Sequence, residues 1–198
     1  MSEARRSRTP SAEMGDALLD AADDVLEKEG PDALSVRRIA TVAGVAPMGV
    51  YNHFDSKFGI VDALFIRGFQ RLEAAMGNLE GIADPLEALR EGGRRYRALA
   101  LAHPMMYQVM FLRAVAGFEP SDRAMEVATQ AFERLVSTVR RAAGAGLIEA
   151  ASPTLTAQVI WSSLHGWMSL EISEVGFVED QSAGFTLLCS TILRGLRP

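Results

Sequence analysis

The 198-residue chain has one cysteine, Cys189, so neither an internal disulfide nor a multi-cysteine metal site is available to it. Set in an apolar helical pattern, that thiol reads as a small packing residue. Long hydrophobic runs are missing as well. Arg, Glu or Gly interrupts every apolar stretch before the roughly 18 to 20 residues that a membrane helix needs. Histidine is scarce, and His103 and His165 stand far apart with no carboxylate at ligand spacing, so neither a metal nor a cofactor is expected. Catalytic motifs are absent too: there is no Gly-rich phosphate loop, no Gly-x-Ser-x-Gly and no His-Glu-x-x-His, and the expectation is no enzyme. No segment alternates with period two between hairpin turns, which leaves strands without a signal.

Positive charge is also in short supply. The formal net charge is -5, and residues 1–58 hold seven basic side chains against ten acidic ones. A nucleic-acid partner normally leaves a basic footprint, so the total opposes one. Placement matters more than the total. Eight of those acids lie between Glu13 and Asp32, whereas Arg37, Arg38 and Lys57 flank the motif described below. Screening over about 8 to 10 Å lets a local basic edge act despite distant acids. The first ten residues, with Arg5, Arg6 and Arg8, are too short and too poor in apolar residues for a secretory signal; a cytoplasmic protein is expected.

What is present is helical periodicity. A first helix is predicted from Thr9, with Pro10 at its first position, to Glu29, ended by Gly30-Pro31-Asp32. Ser35 caps a short helix over 36–43, Gly44 breaks it, and a second short helix covers 46–54 with Pro47 in its first turn. A longer helix follows from Lys57 to about Leu79, then one over 85–102 with Arg94, Arg95 and Arg97 outward. A Met and aromatic segment spans 105–116, and further helices cover 121–143, 153 to about 175, and 179–196.

Residues 35–57 read SVRRIATVAGVAPMGVYNHFDSK, two short helices about a glycine turn, which is a helix-turn-helix pattern. Ile39, Ala40, Val45 and Val50 would face inward, leaving Pro47, Met48, Gly49 and Asn52 toward a DNA groove. Small or flat residues there permit close approach to base edges; Met48 can touch thymine methyls and Asn52 can hydrogen-bond. Arg37 is placed to reach a guanine edge. Tyr51, His53 and Lys57 would hold phosphates, with Ser35 at a helix start. Arg5, in the arm, is a further DNA-contact candidate.

Gly44-Val45, Tyr51-Asn52-His53-Phe54 and Asp55-Ser56-Lys57 occur at fixed spacing, and over about residues 10–65 the chain resembles the TetR family of bacterial regulators. Met48-Gly49 stands where many members have Gly-Thr or Ala-Thr, a departure that bears on the operator sequence and leaves the fold intact. The resemblance implies an all-α protein of about nine helices. Its divisions would be a basic arm (1–10), a three-helix DNA-binding domain (11–57) and a ligand-binding and dimerisation domain (58–198). It further implies a homodimeric transcriptional repressor, released from a palindromic operator in double-stranded DNA by a small, largely apolar effector. A helical carrier of hydrophobic ligands, or an enzyme without DNA binding, is the alternative.

Beyond residue 65 only the layout agrees. The segment from Trp161 through His165-Gly166-Trp167 to Glu171 looks like a subgroup feature. Gly166 in mid-helix costs about 1 kcal/mol against alanine, which suits close approach of another helix or a ligand. Tyr96, His103, Met106, Tyr107, Met110, Phe111, Trp161 and His165 are candidates for an apolar pocket with soft walls. Leu164, Met168, Phe185, Leu188, Cys189 and Ile192 are candidates for a dimer interface across the last two helices.

Overall fold

The computed structural model describes residues 11–198, and among them are nine α-helices, one 3-10 turn and no strand. In chain order these are α1 (Ser11–Glu29), the 3-10 turn Pro31–Ala33, α2 (Val36–Ala43), α3 (Pro47–Phe54), α4 (Lys57–Met76), α5 (Pro85–Ala102), α6 (Pro104–Phe111), α7 (Asp122–Gly144), α8 (Pro153–Ile172) and α9 (Gln181–Gly195). The basic arm with Arg5, and the cap expected at Thr9, lie outside the described residues. No described helix is long and apolar enough to cross a membrane.

Helix ends follow local chemistry. Ser35, Asp84, Ser152 and Asp180 each cap a helix by accepting a backbone N–H within its first turn. α4 stops at Met76, earlier than the apolar spacing suggests, because Gly77 turns left-handed (φ 52°) and the Arg95 guanidinium takes the Met76 carbonyl at 2.5 Å. α8 likewise stops at Ile172, before the expected 175, since Glu174 has φ 55°.

The chain packs as two compact units, residues 11–67 with Met105–Ser121, and Gly68–Pro104 with Asp122–Pro198. In the first, α1 supplies Leu18, Ala22, Val25 and Leu26 to a core completed by Leu34, Ile39, Val50, Ile60, Val61 and Leu64. Arg67 of α4 adds an ion pair to Asp20 of α1 at 2.5 Å. The 105–121 segment joins this unit through Phe118, whose ring lies 6.4 Å from Phe58 and 6.2 Å from Phe65.

In the second unit α5, α7, α8 and α9 pack around Ala88, Tyr96, Val136, Val139, Ile160, Leu164, Met168 and Phe185. Gly93 lets α5 close on its neighbours, for a methyl there would sit 3.4 Å from the Cys189 sulfur and 3.9 Å from Leu164. Arg97 turns inward, against expectation. Its guanidinium donates to both oxygens of Glu171 (2.5 and 3.0 Å) and lies over the Phe185 ring, while the Trp167 indole N–H donates to the same carboxylate at 3.1 Å. Arg94 is exposed and pairs with Glu87 and Glu91, as a solvent-facing arginine should.

Leu26 is fully enclosed in the first unit, so Leu26→Ala should cost about 2 to 5 kcal/mol. A thermal melt followed by circular dichroism should show the midpoint fall.

Candidate nucleic-acid interface

Ser35 begins the local structure on which the site rests. Its backbone is extended (φ -147°) and its Oγ accepts the Arg38 N–H at 3.2 Å, which starts α2. The helix closes at Gly44 in the left-handed conformation (φ 68°), where the Val45 N–H donates back to the Ala40 carbonyl at 3.0 Å. Ala46 then leads into Pro47, which opens α3 at a position where a missing N–H costs nothing. Ile39, Ala40 and Val50 are buried, and Val45 is half-buried, so the two short helices share one apolar seam.

A second tie fixes α2 to the end of α1. The Nε of Arg38 donates to both Glu29 oxygens at 3.0 Å, and Nη2 donates to Oε1 at 2.7 Å. That fork holds the Glu29 carboxyl below its ordinary range. Sequence periodicity carries no hint of this pair. Arg37, the neighbouring cation, remains exposed, its carbonyl accepting the Thr41 hydroxyl at 2.9 Å.

The outer surface of α3 is built from the residues the sequence nominates. Pro47, Met48, Tyr51 and Asn52 are exposed, Met48 by 66 % and Tyr51 by 47 %. Gly49 is half-buried, and a methyl there would meet only Val45, at 3.7 Å. Val42 near the end of α2 is a further exposed apolar residue that the motif did not single out. His53 is half-buried: its Nδ1 lies 3.0 Å from the Gly49 carbonyl, and its ring lies where a methyl on Gly15 of α1 would meet it at 3.4 Å. Lys57, also half-buried, is the first residue of α4, just after Ser56, whose Oγ accepts the Gly59 N–H at 3.1 Å. Two short helices share an apolar seam and turn a polar and thioether face outward, and a helix of this size is what a major groove can admit.

The joint between α3 and α4 is tight. A Cβ on Gly59 would overlap the Phe54 carbonyl oxygen, so α4 starts directly against the last turn of α3. The backbone there cannot yield as a flexible side chain would.

Residues expected to form a pocket divide between the units. Met106, Tyr107 and Met110 are buried in the first, with Tyr107 and Phe111 rings 5.0 Å apart. Tyr96 is buried in the second, where Trp161 lies 5.4 Å from His165 and 6.3 Å from Phe132; His103 is half-buried there. Burial pushes the His165 imidazole below its ordinary pKa. The residues expected at a dimer interface are placed differently again. Leu164, Met168 and Phe185 are buried within their own unit and serve the chain's own core, whereas Leu188, Cys189 and Ile192 are half-buried. The exposed apolar residues of these helices are Leu155, Val159 and Leu170 on α8 and Leu187 on α9. α8 is apolar on both sides, which hid the difference from the sequence.

Two family models match the chain. Residues 18–64 match one described as bacterial regulatory proteins, tetR family, and residues 89–192 match one described as tetracyclin repressor-like, C-terminal domain. An uncharacterized HTH-type transcriptional regulator of Mycobacterium tuberculosis is 25 % identical over 181 residues, covering 91 % of this chain and 80 % of that protein. Among solved structures, a protein of unknown function from a Rhodococcus species is 26 % identical with a TM-score of 0.84, covering 100 % of both chains. A TetR family transcriptional regulator from Thermus thermophilus is 22 % identical with a TM-score of 0.69, over 91 % of this chain and 99 % of that one.

Gly59→Ala should lower the thermal midpoint by several degrees, since the Phe54 backbone must move. Gly49→Ala, whose methyl has room, should melt as the parent does. Equal melting of the two would show that the α3 to α4 joint is slack.

Proposed function

The chain belongs to the TetR family of bacterial regulatory proteins, DNA-binding transcription regulators rather than enzymes, and on that premise we propose that it is a cytoplasmic repressor whose α3 reads a palindromic operator. The observation that carries this reading is the outer face of α3, where Met48, Tyr51 and Asn52 are exposed around Pro47 and Gly49. Met48 contacts thymine methyls and Asn52 hydrogen-bonds a base edge, while Arg37 takes a guanine. Tyr51, His53 and Lys57 hold phosphates, with the helix start at Ser35 beside them. The arm with Arg5 adds a contact of its own.

A palindrome requires two copies. We place the second on the outward face of α8, where Leu155 (64 % exposed), Val159, Ser162, Gly166 and Leu170 recur every three or four residues, together with Leu187 (62 %) on α9. Gly166 is the opening in that face, for a methyl on it would meet nothing within 4 Å. A partner helix can approach there closely. The effector is a small, largely apolar molecule held in the second unit beside Trp161 and His165, where aromatic walls and a neutral imidazole suit such a ligand. It releases DNA only by binding the two states with different affinity.

Duplexes selected by the protein from a randomised pool should contain two inverted half-sites, and their affinity should fall steeply between low and moderate salt, as phosphate contacts require. Arg37→Ala should relax base preference at one position by about 1 to 3 kcal/mol of discrimination. Salt-independent binding or an unselective pool would overturn the reading. Val159→Arg should give a monomer by analytical ultracentrifugation and weaken operator binding at least tenfold; a dimer that persists would move the interface elsewhere.

A further inference from the structure

A surface that meets DNA needs cations free to face phosphate, and the helix-turn-helix unit has few. Its described residues hold six lysines and arginines: Lys28, Arg37, Arg38, Lys57, Arg67 and Arg113. Three are paired with acids of the same unit, Lys28 with Asp24 at 2.8 Å, Arg38 with Glu29 at 2.7 Å and Arg67 with Asp20 at 2.5 Å. Among the described residues, no such partner meets Arg37, Lys57 or Arg113. The first two belong to the motif itself. Arg113 comes from the Met105–Ser121 segment, far beyond the motif in sequence.

The backbone holds Arg113 in a conformation that its residue type rarely adopts. α6 ends at Phe111, the N–H groups of Leu112 and Ala114 both return to the Gln108 carbonyl (2.9 and 3.4 Å), and Arg113 between them is left-handed (φ 52°). Glycine is the usual occupant of such a position, because a Cβ there is strained. Arg113 is nonetheless an exposed charge. The chain then turns toward the start of α4. The Phe118 N–H donates to the Val115 carbonyl at 3.2 Å, and at that corner a methyl on Gly117 (φ 76°) would lie 3.6 Å from the ring of Phe58, the residue after Lys57. Four residues span at most about 14 Å, so Arg113 is kept within that distance of Gly117 and in the neighbourhood of Lys57.

From this we infer that Arg113 is a DNA phosphate contact, contributed to the recognition surface from outside the helix-turn-helix sequence. The inference rests on the DNA-binding reading above. An arginine at this place has a competing structural role, since a cation at the C-terminal end of α6 favours the helix dipole. Glycine separates the two, for it removes the charge and relieves the backbone in one substitution.

Binding of the selected operator duplex, and of an unrelated duplex of equal length, is measured over a range of salt, together with the thermal midpoint of each variant. Every phosphate contact adds about 0.9 to the fall of log K with log salt. Arg113→Gly should lose about that much slope on both duplexes, bind each about five- to tenfold more weakly at about 0.1 M salt, and melt at or above the parent. Arg113→Lys keeps the charge and should keep the slope. An unchanged slope in the glycine variant, a loss confined to the operator, a lower melt, or a lysine variant that binds as the glycine one does would overturn the contact and leave operator reading by α3 standing. If the parent selects no duplex, or binds both without salt dependence, the DNA-binding reading falls, and the contact with it.

Discussion

An eight-residue helix has too few hydrogen bonds to offset the cost of nucleating it, so α3 depends on what lies beneath it. That support is Val50, fully buried against a seam that includes Ile39 and Ala40, and it is the contact from which the exposed face of α3 takes its form. The polar and thioether residues on the outside contribute little to holding the helix. Their positions are inherited from one aliphatic side chain, from the left-handed Gly44 that sets the turn and from the absent side chain of Gly59 that sets the exit. A surface made this way is held firmly from beneath, and its outer residues can be exchanged with little effect on the fold.

The second unit relies on a different device. Arg97 and Glu171 are largely withdrawn from water, and burying two charges is costly unless every polar atom is satisfied. Trp167 and the Phe185 ring complete the set, linking α5, α8 and α9 around one ion pair. Truncating one partner leaves the other charge stranded, so the network fixes the arrangement of helices more than it adds to their stability. Elsewhere in this unit the Trp161 and Phe132 rings pack edge to face.

The helix-turn-helix was legible in the sequence because its determinants are local. A capping serine, a left-handed glycine and a proline at a helix start each act within a few residues, and Ser35, Gly44 and Pro47 stand where the chemistry needs them. The far-reaching contacts had no such signature. Glu27 with α6, Asp62 with Ser121 and Arg97 with Glu171 join positions 59 to 79 residues apart, and nothing in a helical period marks their partners. Arg97 was therefore expected in solvent. The faces of α8 were illegible for another reason. Leu164 and Met168 turn inward while Leu155, Val159 and Leu170 turn outward, and an apolar pattern on both sides of one helix gives periodicity nothing to choose between.

The fork between Arg38 and Glu29, though exposed, neutralises one of the few cations near α3 against an acid. With residues 1–58 already net negative, what remains to attract random duplex DNA is small. Discrimination then has to come from shape and base-edge contact more than from net charge.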